Sequence, residues 1–135
     1  MTVLLVDAAN VVGSRPDGWW RDRAGATTRL LGRLAALPGR TVPGPDGGPL
    51  AVTGLVAVVE GQARAVPDQD GVRLVRAPGS GDDAVARTAT ALAGDGDLLV
   101  VTADRGLRGR LPAAVRVAGP GWLLAAADRA GAEPG

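Results

Sequence analysis

The chain has 135 residues, 46% hydrophobic and 21% charged, with a formal net charge of +1. It is long enough to bury a core, and too near neutral for a global field to gather nucleic acid. It has no His, Cys, Tyr, Phe or Lys. That excludes His- and Cys-based triads, Schiff-base and P-loop lysines, thiolate or imidazole zinc sites and c-type haem attachment. Carboxylates (twelve Asp and two Glu), hydroxyls, Arg and backbone amides remain, an inventory that suits hard cations held by oxygen.

All fifteen basic residues are Arg, which together with the Ala, Gly, Val and Pro bias reads as GC-rich coding. Without Cys there are no disulfides. No apolar run reaches about 18 residues, so no transmembrane helix is expected. The start lacks a basic segment and passes straight into a strand, so it does not read as a signal peptide, and the cytoplasm is the expected compartment.

Thr2–Val6 is a continuous apolar run ending in Asp7 and reads as a buried strand of a parallel sheet. Asn10–Gly18 reads as a loop. Trp19–Leu37 is predicted to be one helix, with Leu30, Leu31, Leu34 and Leu37 at helical spacing and Pro38-Gly39 as its stop. Residues 40–50 are expected to be irregular. A second apolar strand, Leu50–Val59, ends in Glu60, and Gly71–Arg76 alternates as a short strand should. A helix from Ser80 to Ala93 follows Ala77-Pro78-Gly79. Asp97–Thr102 is another apolar strand, followed by Ala103-Asp104. A short helix at Arg105–Arg110, a strand at Ala114–Ala118 and a helix at Gly121–Ala130 come last, with a fraying tail at Gly131–Gly135. The expected organisation is one domain over 1–130 and a flexible tail over 131–135. Strands alternating with helices predict an α/β fold, a mostly parallel sheet flanked by helices on both faces.

In such folds ligands bind beyond the carboxyl ends of the strands. Asp7, Glu60 and Asp104 each stand at such an end, and Asp82 and Asp83 open the helix after the third strand. Carboxylates brought together this way repel unless a cation lies between them. Asp7, Asp82 and Asp104 are therefore expected on one edge, close enough to share a cation. Each acid also has a plainer reading. Asp7 and Asn10 suit a strand–loop turn, Ser80, Asp82 and Asp83 a helix start, Asp104 the cap of the next helix, and Glu60 a surface acid. Helical spacing separates two neighbours: Asp82 precedes the apolar stripe Val85, Ala86, Ala89, Leu92 and Ala93 and points inward. Asp83 precedes Arg87 by four residues and is expected to pair with it. Near Trp19 and Trp20 lie Arg15, Arg21, Arg23 and Arg29. One indole should pack in the core and the other, Trp20, could stack on a base. The plainer alternative buries both and pairs the arginines with Asp17 and Asp22. Trp122 suggests only packing.

Taken together, Leu4-Leu5-Val6-Asp7-Ala8-Ala9-Asn10-Val11-Val12-Gly13, Ser80-Gly81-Asp82-Asp83-Ala84-Val85 and Val100-Val101-Thr102-Ala103-Asp104-Arg105 resemble the PIN/NYN nuclease superfamily, in particular the small bacterial YacP-like ribonucleases. The resemblance spans nearly the whole chain. It implies a PIN-like three-layer fold and cleavage of RNA with Mg²⁺ or Mn²⁺. It also implies Asp7, Asp82 and Asp104 as catalytic metal ligands, supported by Asn10, Thr102, Asp83 and Glu60. Arg15, Trp20, Arg21 and Arg23 would bind single-stranded RNA. The chain departs from the family pattern at Ala8 and Ala9, at Gly106 where many relatives carry a further acid, and at Glu60 where Asp is usual. A metal-dependent ribonuclease is thus the first functional expectation. A weak or inactive binding module for nucleic acid or protein, and a nucleotide phosphate or pyrophosphate hydrolase, are the others. Haloacid-dehalogenase-type phosphatases and receiver domains share the strand-end acids but need a Lys.

Overall fold

The computed structural model describes residues 1–132. The elements are β1 (Thr2–Asp7), α1 (Ala8–Gly13), α2 (Arg23–Leu34), β2 (Thr41–Pro43), β3 (Pro49–Val59), β4 (Arg73–Arg76), α3 (Gly81–Ala93), β5 (Asp97–Val101), α4 (Arg105–Arg108), β6 (Arg116–Ala118) and α5 (Pro120–Ala132). The three long apolar strands divide their side chains between two cores. Leu4, Val6, Leu55, Ala57, Val59, Leu99 and Val101 enter one. Leu5, Val56, Val58, Leu98 and Val100 enter the other. Successive strand residues face opposite ways, so a run apolar at every position needs cover on both faces. Val11 of α1, Leu30, Leu31 and Leu34 of α2, and Leu123, Leu124 and Ala127 of α5 cover the first face. Ala84, Val85 and Ala89 of α3 and Leu107 of α4 cover the second. The result is three layers, helices–sheet–helices.

The sheet order is β2-β3-β1-β5-β6, with β4 also paired to β3. Every pairing is parallel except β2 with β3. Register aligns Asp7 with Val58 of β3 and Val6 with Val101 of β5, so the carboxyl ends of the three central strands lie together. The chain runs outward from β1 to β3 and β4, then crosses back through α3 to β5 on the other side of β1. After β1 it enters the first helical layer through α1, and after β5 the second through α4. That divergence opens a crevice between β1 and β5, where α/β sheets bind ligands.

Several elements differ from expectation. Asn10–Gly13 of the expected loop belong instead to α1. The expected helix Trp19–Leu37 is a 3₁₀ turn at Trp19–Arg21 followed by α2, which ends at Leu34. Asp22 causes the break: at φ −152° it leaves helical geometry and its carboxylate accepts the Gly25 amide at 2.9 Å, capping α2. Residues 40–50 are a hairpin, β2 returning into β3 through Gly47 at φ +90°. The Trp122 indole donates to the Pro43 carbonyl at 3.0 Å, fastening α5 to β2. The fourth helix stops at Arg108, two residues early, and α5 takes in Gly131 and Ala132 of the expected tail. The rest of that tail, 133–135, lies outside the described residues. Among the described residues no helix is long and apolar enough to cross a membrane.

Leu99 is fully buried on β5, at the centre of the sheet. Leu99→Ala should cost about 2–5 kcal/mol of unfolding free energy, through lost transfer energy and the cavity left behind. Denaturant unfolding measures it, and a loss of a few tenths of a kcal/mol would mean that the sheet centre is not close-packed.

Candidate active site

Asp7 closes β1 and is only 4% exposed. Thr102 follows β5 and is fully buried. The Thr102 hydroxyl donates to Asp7 Oδ2 at 3.1 Å and accepts the Asp104 amide at 3.2 Å. A hydroxyl has one proton, and here it is committed to Asp7. Asn10 on α1 accepts the Ala103 amide on its side-chain oxygen at 2.8 Å. The loop after β5 is thereby laid against the helix after β1, and the crevice has a defined wall.

The opposite wall comes from β3, α3 and the residues between. Glu60, just past β3, accepts the Gly81 amide on Oε2 at 2.6 Å and so satisfies an orphan donor of α3. Glycine suits this approach, because a Cβ at Gly81 would stand 2.6 Å from the Glu60 carboxyl carbon and make that carboxylate shift. Ser80 caps the same helix, accepting the Asp83 amide at 3.4 Å. Asp82 is half-buried and faces the crevice, whereas Asp83 is exposed. The expected Asp83–Arg87 pair does not form. Asp83 instead meets Arg110 at 2.7 Å, because the turn after α4 brings Arg110 against the start of α3. An exposed pair of this kind contributes little to stability, but it links the two helices of one layer.

The acids feel one another. Burial pushes the Asp7 carboxyl up from 3.8 to about 6; the Asp82 and Glu60 charges add to the rise, while the Thr102 hydroxyl and the Asn10 amide oppose it. Asp82 is also raised, first by burial and then by Asp104 and Glu60, with Arg110 opposing. Asp7, Asp82 and Asp104 therefore occupy one edge of the sheet, with Glu60 among them. Among the described residues, however, no three acids are gathered tightly enough to hold a metal ion. Asp104 uses Oδ1 to cap α4, accepting the Leu107 amide at 3.0 Å, and Glu60 caps α3. Asp104 thus also does what the plainer structural reading expects of it, whereas Glu60, expected there as a surface acid, is half-buried and caps a helix.

The basic and aromatic residues divide. Trp19 is half-buried and meets Trp20 edge-to-face, ring centres 5.9 Å apart; Trp20 is 53% exposed. Arg23 lies over the Trp19 ring, 5.3 Å from its centre. Trp19 and Arg23 line a cavity of about 410 Å³ with Glu60. Arg15 is elsewhere, with Asp17, Arg29 and Arg33 around a groove of about 210 Å³. Arg21 is exposed next to Trp20. Of the four residues expected to bind RNA, Arg15 thus lines a different groove from Arg23. Reasoning from sequence missed Gly81, Arg110 and the place of Trp19 beside Glu60; only Gly81, standing between a cap and two acids, left a local sign.

No protein-family model matches the chain, and no curated protein matches it. Among solved structures it is similar to a mutant of Rae1 (YacP) from Bacillus subtilis, with a TM-score of 0.65 and 18% identity over 97% of this chain and 77% of that one. At this identity the likeness concerns the fold, which is a PIN/NYN-like α/β architecture.

Two measurements probe the site without any assay of activity. The folded state holds the Asp7 proton more tightly than the unfolded chain does. Its contribution to stability is therefore full below about pH 4 and is lost as pH rises through about 6. At about 1.4 kcal/mol per pH unit, the whole effect is worth about 3 kcal/mol. Asp7→Asn, unfolded in EDTA, should be more stable than the parent at pH 7.5, and the gain should fade by pH 4. A gain that is the same at both values would place its origin outside Asp7 ionisation. The second compares glycines. Gly81→Ala displaces Glu60 and should lower the melting temperature, while Gly79→Ala, whose Cβ meets nothing within 4 Å, should leave it within about 0.5 kcal/mol of the parent. Equal effects would remove Glu60 as the cap of α3.

Proposed function

We propose that the protein is a metal-dependent ribonuclease acting on single-stranded RNA, with Asp7, Asp82 and Asp104 as its catalytic carboxylates. The observation that carries this reading is Asp7. It is a buried carboxylate, raised to about 6, at the switch point of the sheet, beside two other acids contributed by distant segments. A chain gains no stability from such an arrangement, and perturbed acids in a crevice mark working sites. The resemblance of the three motifs to the YacP-like ribonucleases and the shared fold support the same reading.

The donor chemistry suits Mg²⁺ or Mn²⁺: all the groups are hard oxygens, and the burial and the lesser repulsion that raise Asp7 and Asp82 both oppose bare negative charge, which a divalent cation compensates. Asp7 and Asp82 would hold it together with Asp104, which keeps Oδ1 on the Leu107 amide. When bound, the metal supplies charge neutralisation at the scissile phosphate and acidifies an attacking water. The chain's own residues set the stage. Thr102 fixes the rotamer of Asp7, and Asn10 fixes the loop carrying Asp104. Glu60 and Ser80 hold the start of α3, so that Asp82 faces inward. Trp20 and Arg21, both exposed, are the surface groups suited to an unpaired base and a phosphate. The cytoplasm is the compartment that fits this reading.

A second reading, a binding module with little or no cleavage, is favoured by the helix-capping bonds of Asp104 and Glu60 and by the lack of a ready three-acid group among the described residues. One experiment separates the two. A fluorescent single-stranded RNA is incubated with the protein in Mn²⁺, Mg²⁺ or EDTA, and melting curves are recorded under the same conditions. The ribonuclease reading expects cleavage with metal only, and a melting temperature that rises with metal. Asp7→Asn and Asp82→Asn should abolish cleavage, Thr102→Val should slow it about 10–100-fold, and Asp83→Asn should change it little. RNA binding without cleavage in any metal would establish the second reading instead.

A further inference from the structure

The cavity of about 410 Å³ beside the acid edge is lined by Ala9, Trp19, Arg23, Thr27 and Glu60 among others. Its volume falls in the range of small-ligand sites, about 300–1,000 Å³. Its walls combine three kinds of surface. Trp19 and Arg23, whose guanidinium carbon lies 5.3 Å from the ring centre, bring an indole and a guanidinium, two flat groups on which unpaired bases stack. Glu60 brings a carboxylate, which only accepts hydrogen bonds. Gly61 and Gly79 leave the mouth clear, since a Cβ at either would meet nothing within 4 Å. The floor is firm: Thr27 is 2% exposed and its hydroxyl donates to the Arg23 carbonyl at 2.8 Å.

We infer that this cavity is a nucleobase pocket selective for guanine, which seats one base of the strand whose phosphate reaches the acid edge. The inference rests on the ribonuclease reading for the kind of strand, and on the lining for the base. Guanine alone offers two adjacent donors, N1–H and the 2-amino group, to a carboxylate. Adenine and cytosine set one donor beside an acceptor, and uracil flanks its donor with two carbonyls, so each turns an oxygen or nitrogen lone pair toward Glu60. The Gly81 amide occupies one lone-pair site of Glu60 Oε2; a carboxylate has about four such sites, so about three remain, enough for the paired donors. Ala9 lies on α1 two residues after Asp7, and Glu60 is among the acids whose charge raises Asp7. A base in the cavity therefore places the adjoining sugar–phosphate at the crevice.

The test uses nucleosides, which lack phosphate, in EDTA, so that the metal site has no part in it. Indole emission is followed in Trp20→Phe protein, with Trp122 as a constant background. Guanosine should quench Trp19 saturably and bind about tenfold tighter than inosine, which lacks the 2-amino group. Adenosine, cytidine and uridine should bind no better than inosine. Glu60→Gln keeps an acceptor for the Gly81 amide but presents a donor to the base, and should erase the guanosine–inosine difference. Ala9→Leu, at an exposed position, fills the cavity and should abolish quenching. Equal response to all nucleosides, guanosine binding that survives Ala9→Leu, or no saturable quenching would each overturn the pocket. Guanosine binding in a protein that cleaves no RNA would sink the ribonuclease reading and leave the pocket standing.

Discussion

The hydroxyl of Thr102, donating to Asp7 and accepting from the Asp104 amide, joins the carboxyl ends of β1 and β5 where the chain diverges to opposite faces of the sheet. One side chain thereby sets the rotamer of the most buried acid and the start of the loop that carries another. It can do so because Thr102 is the first residue past a strand in register with β1, and because both partners are shielded from water that would otherwise compete. Asn10 adds a second tie a few residues away. Without these three bonds the crevice would be an ordinary gap between loops.

The acids there have two kinds of work. Glu60 and Asp104, with the hydroxyl of Ser80, satisfy backbone donors at helix starts, which stabilises the fold. Asp7 and Asp82 are instead held where burial and neighbouring charge oppose ionisation, which costs stability. The two sets are neighbours: the caps hold the starts of α3 and α4, and the charges of Glu60 and Asp104 act on the raised pair. Glu60 belongs to both the acid edge and the adjoining cavity, so one carboxylate connects a helix start, the electrostatics of Asp7 and the base pocket inferred beside it.

The layered fold was legible in the chain itself. Runs such as Leu4-Leu5-Val6 and Leu98-Leu99-Val100-Val101, apolar at consecutive positions, demand helices on both faces whatever the details. Asp7, Glu60 and Asp104 at strand ends could be assigned to one edge because parallel strands end together. The inward turn of Asp82 and the outward turn of Asp83 followed from helical spacing. The errors occurred where a local signal competes with a distant one. The leucine spacing of α2 reads back to Trp19, but the Asp22 carboxylate caps the Gly25 amide and breaks the helix. β2 has only three residues and exists because β3 offers it an edge.

By itself, then, the sequence determined the reagents and their side of the sheet: oxygen chemistry without imidazole, thiol or amine, delivered to the carboxyl ends of parallel strands. Residue types and short-range periodicity suffice for that, since both are properties of the chain alone. The partners were decided only by tertiary structure. Arg110 rather than Arg87 meets Asp83, Glu60 reaches Gly81 because the glycine lacks a Cβ, and Trp19 with Arg23 faces Glu60 across a cavity while Arg15 lies in another groove. These contacts join segments tens of residues apart, and their distances depend on how the helices settle on the twisted sheet, a packing outcome that no local pattern encodes.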